Sequence, residues 1–232
     1  MTLASASERL RRSFVNSAGT IVFGMEDGTV SIFGLVFGVA ATTSDAKTIL
    51  IAGASGAVAA AVSMMAGAYL DAETTRDELA TRRATLESGV TRDDTSPQLL
   101  QRLTAAGLSP EQSTALAGAV TQDRTALGGL LAALDGKTKS AVDPWEQASW
   151  MLLADFLAAA VPILPFVFLP IAAARVTSVV VTTALLIVLG IGRARIARGN
   201  MARTIAETVA VGVAAALAGV GIGILIDRTF GG

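Results

Sequence analysis

Four acidic side chains stand inside or at the ends of long apolar stretches of this 232-residue chain: Glu26, Asp27, Asp155 and Glu207. An ionised carboxylate in hydrocarbon is costly, so such residues normally face a bundle interior or a water-filled path, where they handle ions or protons. The chain has no His and no Cys. That excludes disulfides, thiolate and imidazole metal sites, Ser-His and Cys-His catalytic pairs and zinc hydrolase centres. Carboxylate, Met sulfur, hydroxyl and carbonyl groups remain as metal ligands, and Met64 lies in a neighbouring apolar stretch. Carboxylates with a thioether suit a divalent cation of moderate softness, or a proton. No nucleophile and base pair can be assembled, so the chain is not expected to be an enzyme.

Each candidate also has a plainer use. Met64 and Met65 can fill space in a helix of small residues. Glu207 can pair with Arg203 across one helical turn. Asp155 can be a neutral, hydrogen-bonded core acid. Asp27 is the leading candidate because Gly24, Gly28, Gly34 and Gly38 on its helix permit close helix approach or local opening of the backbone.

The elements that must position these residues follow from composition. The chain is 52% hydrophobic and only 16% charged, with a mean hydropathy of +0.60. A water-soluble domain carries about a quarter charged residues, so the expected solvent is the lipid bilayer. A net charge of -1 argues against nucleic acid as a partner. A bilayer core needs roughly 20 mostly apolar residues per helix. Five stretches qualify: Gly19 to Thr42, Thr48 to Leu70, Glu146 to Ile171, Val176 to Gly192 and Thr204 to Ile226. The first is not read as a cleaved signal peptide, because it is too long and Glu26 and Asp27 sit inside it. Arg9, Arg11 and Arg12 before it, with Arg193, Arg195, Arg198 and Arg203 near the last turn, place the N-terminus in the cytoplasm and the C-terminus outside. At 1.5 Å per residue, Asp27 lies about 12 Å into its span, Asp155 about 13 Å, Glu207 about 6 Å and Met64 about 9 Å, all in the inner half of the membrane.

The expected domains are 1–70, the N-terminal tail with the first two spans; 71–144, a small cytoplasmic helical domain; and 145–232, spans three to five. Within the polar middle part, Ser109-Pro110 and Asp143-Pro144 read as helix starts, with Ser and Asp as N-caps. Trp145 and Trp150 are expected at the membrane interface. Pro162 and Pro165 should break or kink the third span and free backbone carbonyls.

VFGMEDGTVSIFGLVFGVA in the first span and VSMMAGAYL closing the second resemble the vacuolar iron transporter family. The resemblance continues through Arg76-Asp77, AGLSPE, DPW and PILPF, and covers nearly the whole chain. It implies an all-α membrane protein with five helices per protomer, a homodimer with the ion path near its two-fold, and exchange of Fe²⁺ or Mn²⁺ for protons. The ion would be cargo, with no permanently bound cofactor. By this resemblance Asp27 matches the first-span pore acid and Met64 the second-span methionine ligand. Gly28, Ser31, Ser63, Gly67 and Tyr69 complete those motifs. Glu26 joins the metal ligands, with Asp155 and Glu207 as secondary ion or proton sites. The chain departs from the family where Ala68 replaces an expected Glu, and where Ala80, Arg82, Arg83 and Leu86, then Leu116, Ala117, Gly118 and Ala119, stand near positions that carry metal-binding Glu. Glu73, Glu78 and Glu87 remain on that helix, read as a solvated face. The expectation is therefore a divergent transporter exporting metal from the cytoplasm, in a plasma membrane if the chain is bacterial. Two alternatives are a fold-retaining scaffold or regulator and a proton-coupled transporter of another solute.

Overall fold

A computed structural model describes residues 3–89, 92–120, 130 and 143–230. Much of the end of the polar middle part, with the side chains of Arg82, Arg83, Leu86 and Glu87, lies outside the described residues. Every regular element described is a helix: α1 (Leu3–Asn16), α2 (Ala18–Thr42), α3 (Ala46–Gly89), α4 (Arg92–Ala105), α5 (Pro110–Val120), α6 (Pro144–Ile163), α7 (Pro165–Phe168), α8 (Ile171–Ala197) and α9 (Met201–Phe230). The chain divides into two compact units, Met1–Leu70 with Asp143–Gly232, and Asp71–Val142.

Four helices are long and apolar enough to cross a bilayer: α2, α3 over Ala46–Thr81, α8 and α9. The third expected stretch is interrupted at its prolines, as the sequence reading has it. Its helix ends at Ile163, turns at Leu164 and resumes for only four residues in α7 before Pro170. Pro162 and Pro165 have no N–H to donate, so the ladder cannot run unbroken to Ile171. Ser178 Oγ on α8 donates to the Pro162 carbonyl at 2.8 Å, satisfying an acceptor in that region. The start of α6 is as expected: Asp143 accepts from the Trp145 and Glu146 N–H groups at 2.9 and 3.4 Å.

Within the first unit α2 is the hub. Its apolar window is 44% buried against 6% for α9, so α9 turns most of its surface outward while α2 is enclosed. Small residues make this possible. Gly24 and Gly28 meet α6, where an added Cβ would lie 2.7 Å from Met151 Sδ and 3.0 Å from Asp155 Oδ1 respectively. Gly34 and Gly38 meet Ala215 and Gly219 of α9, with hypothetical Cβ atoms 2.9 and 2.8 Å from their carbonyl oxygens. Gly219 and Gly223 approach the Gly34 and Gly38 carbonyls in return. The two GxxxG pairs thus bring backbones into direct contact, the main source of helix affinity in lipid, where burial of apolar surface gives no drive. On α3, Gly53 packs on Val36 and Gly56 on Ile32 and Leu35.

The ends of α2 and α3 are fastened by polar groups. Arg175 of α8 donates through Nη2 to the Ala40 carbonyl and, at 3.2 Å, to the Thr43 carbonyl, filling orphan acceptors at the α2 C-terminus. Asp45 opens α3, accepting from the Thr48 hydroxyl at 2.6 Å and the Thr48 N–H at 3.0 Å. These bonds, the hydroxyl first, hold the Asp45 carboxyl below its ordinary range. The cap therefore contributes fully above that range and is lost as pH falls through the lowered value. Helix α1 lies against α6, with Trp150 Nε1 donating to Ser13 Oγ at 2.7 Å and Phe14 edge-on to Trp150.

In the second unit α4 and α5 form a hairpin around Leu99, Leu103 and Ala117. Gly107, at φ 96°, makes the left-handed turn that ends α4. The expected cap at Ser109 forms a reciprocal box with Gln112: Gln112 N–H donates to Ser109 Oγ at 3.3 Å, and Ser109 N–H to Gln112 Oε1 at 3.0 Å.

Two substitutions probe these contacts. Gly219→Val forces a branched side chain into the Gly34 backbone and should cost at least the ~1–3 kcal/mol of ordinary overpacking, read as a lowered unfolding midpoint in detergent. Arg175→Met leaves the Ala40 and Thr43 carbonyls without their donor and should lower the midpoint by the equivalent of about 1–3 kcal/mol.

Candidate functional site

The N-terminal half of α2 carries two adjacent acids with different surroundings. Glu26 Oε1 accepts from Thr208 Oγ1 of α9 at 2.7 Å and from Arg193 Nη1 of α8 at 3.2 Å. The sequence reading ended the fourth span at Gly192 and left Glu26 without a cation on a neighbouring span. That is corrected by α8, which continues past Gly192 to Ala197 and carries Arg193 back to α2 as a helical residue. Thr208 was not anticipated; the only signal for it is a hydroxyl placed at a depth similar to that of Glu26.

Asp27 is half-buried and makes no hydrogen bond or ion pair among the described residues. With Glu26 it lines an open cleft of about 370 Å³, walled also by Phe23, Val30, Arg193 and Val211. Asp155 sits behind this, on the α6 face that meets Gly28. It is fully buried, both of its carboxylate oxygens lack a hydrogen-bond partner among the described residues, and it is within electrostatic range of Asp27. The sequence alternative of a hydrogen-bonded core acid is therefore not what is found.

The other sequence candidates fall around this centre. Met64 on α3 is half-buried and does not line the cleft. The antiparallel register set by Gly53 on Val36 and Gly56 on Ile32, carried on down α3, brings Met64 level with the Gly24–Gly28 turn of α2. Glu207 is exposed and pairs with Arg203 at 2.8 Å, the plainer of its two expected uses. Ser31 and Ser63 are exposed. An added Cβ at Gly67 would meet nothing, so packing within this chain does not demand glycine there. Tyr69 packs its ring on Trp145, centroids 4.9 Å apart. No three Asp or Glu side chains come together in a metal-holding group among the described residues.

With this arrangement in hand, the chain was compared with known proteins. The profile of the VIT family matches residues 18–224, nearly the full length. The chain belongs to the VIT family. It is similar to vacuolar iron transporter 1 of Eucalyptus grandis, 25% identical over 209 residues, covering 87% of this chain and 83% of the relative. Vacuolar iron transporter 2 of Oryza sativa subsp. japonica is 27% identical over 209 residues, with 87% and 84% covered. Vacuolar iron transporter 1 of Arabidopsis thaliana is 26% identical over 205 residues, with 85% and 81% covered. Glu26, Asp27, Met64, Asp155 and Glu207 all fall inside the VIT-family match, whereas α1 precedes it.

Gly28 is central to this geometry in the VIT-family chain, since the α6 backbone at Asp155 lies where its Cβ would be. Gly28→Ala should separate the helices there and cost about 1–3 kcal/mol, measured as thermal unfolding of the purified protein in detergent.

Proposed function

We propose that this VIT-family protein is a homodimeric transporter that moves a divalent transition metal, Fe²⁺ or Mn²⁺, out of the cytoplasm in exchange for protons. The observation that carries the reading is Asp27, a carboxylate with no hydrogen bond or ion pair among the described residues, in an open cleft of a largely apolar helix bundle. Such a group is retained in a membrane protein when a mobile cation or proton visits it. The names of the plant relatives, all vacuolar iron transporters, support metal as the cargo.

In this reading Asp27 supplies the charge, and Met64, at similar depth on α3, supplies a soft sulfur that favours iron or manganese over magnesium. Glu26, held by Arg193 and Thr208, becomes a ligand when that ion pair opens. The broken helix formed by α6 and α7 serves as the fifth span. In this reading the N-terminus and the 71–144 domain lie in the cytoplasm, in a plasma membrane if the chain is bacterial, and the placement of arginines supports it.

Metal uptake into proteoliposomes tests this directly. Asp27→Asn should reduce Mn²⁺ and Fe²⁺ uptake by more than the ~10–100-fold that loss of an outer-shell partner causes at metal sites, with a smaller loss for Met64→Ala. Unchanged uptake in both would remove the assignment.

A second reading, a fold-retaining scaffold without metal transport, has one observation in its favour: the lack of any three-acid cluster among the described residues. It requires that Mn²⁺ fail to raise the unfolding midpoint of the purified protein, since a ligand of the folded state must stabilise that state.

A further inference from the structure

Helix α1 lies before residue 18, where the VIT-family match begins, and nothing in the transport reading uses it. Its course is set by Trp150. Along the parallel pair α2 and α6, Gly24 faces Met151 and Gly28 faces Asp155, so each level of α2 has a matching level on α6. A straight extension of α2 would carry Phe14 beyond the first residue of α6 at Pro144, about 14 Å short of Trp150. Instead Phe14 packs edge-on against Trp150, and Ser13 Oγ accepts from its indole N–H at 2.7 Å. The chain therefore turns at Ser17, whose ψ of 6° departs from helical values, and α1 lies back against α6 instead of running on along the α2 axis.

What α1 turns outward is not suited to water alone. Leu10 and Phe14, one helical turn apart on one face, are 62% and 48% exposed. Arg9 and Arg11 stand about 100° to either side of Leu10, both exposed and with no ion pair among the described residues. Arg12, on the opposite face, is paired with Glu8 at 2.8 Å. An apolar stripe edged by arginines is the pattern of a helix lying in the headgroup region. Its apolar face enters the acyl boundary while the long basic side chains reach the phosphates. The place fits as well: Ser17 alone separates α1 from the spanning helix α2, and Trp150 against it is of the residue type that gathers at headgroup level. We propose that α1 is an interfacial anchor that binds anionic lipid headgroups in the leaflet at which α2 and α6 begin. Arg9 and Arg11 hold the headgroups, Leu10 and the exposed edge of Phe14 enter the acyl boundary, and Trp150 ties the anchor to α6. This anchoring does not depend on what the protein transports.

The absence of cysteine makes the test direct. Full-length Leu10→Cys and Glu8→Cys, each carrying a nitroxide label, are reconstituted into vesicles of phosphatidylcholine alone or mixed with phosphatidylglycerol. Collision of the label with oxygen, which concentrates in lipid, is compared with collision with a water-soluble nickel chelate. Both positions are exposed, so neither label replaces a packed side chain. In the anionic vesicles the Leu10 label should favour oxygen and the Glu8 label nickel. The ratio of inserted to free helix should rise with phosphatidylglycerol by about fivefold per arginine, and Arg9→Gln with Arg11→Gln should remove that rise. A Leu10 label open to nickel in both lipids overturns the anchor. One hidden from both reagents overturns it too, since protein, a second copy or another partner, then covers the face. Insertion that ignores lipid charge, or whose charge dependence survives loss of both arginines, overturns the anionic-headgroup site.

Discussion

The backbone contacts of α2 govern the rest of the bundle. In lipid, helices gain little from hiding apolar side chains, so association depends on how closely their backbones approach. Gly24 and Gly28 admit α6 on one flank, and Gly34 and Gly38 admit α9 on another. The same absence of Cβ atoms that fastens the bundle also sets its chemistry. At Gly28 it lets a buried carboxylate come within electrostatic range of the acid one residue earlier on α2. Packing and charge placement are one design decision at this position.

The acids of the N-terminal half illustrate how environment divides similar side chains into different roles. Glu26 and Asp27 are neighbours in sequence, yet helical rotation of about 100° aims Glu26 at α8 and α9, where Arg193 and Thr208 wait, and leaves Asp27 free in the cleft. Asp155 meets α2 at Gly28, buried and with no donor among the described residues. Glu207, one turn inside α9, is exposed and bound to Arg203. A carboxylate already neutralised by arginine does not compete for a cation in the way an open one does.

Much of this was legible in the sequence. Length and hydropathy were enough to find α2, α3, α8 and α9, and the caps at Asp143 and Ser109 follow from local rules that tertiary packing does not alter. The third stretch was harder. Its prolines signalled a break, but whether a helix bends through such a point or stops depends on whether neighbours satisfy the freed carbonyls, as Ser178 does at Pro162. Arg193 was assigned to a turn because the apolar run ends at Gly192; helices do not stop where hydropathy does, and the ion pair with Glu26 was hidden by that boundary. Contact across helices far apart in the chain, as of Thr208 with Glu26 and of Asp155 with Gly28, has no sequence periodicity to reveal it.

The clamp of Arg175 on the end of α2 gives the antiparallel pair α2 and α8 a mechanical polarity. At that end a partly buried guanidinium holds two main-chain carbonyls, a bond that is expensive to break because its acceptors would be left dry. At the other end the two helices meet through Arg193 and Glu26, where the arginine side chain is 49% exposed and water can replace either partner cheaply. Of the two fastenings, the looser one therefore stands at the cleft that Asp27 lines.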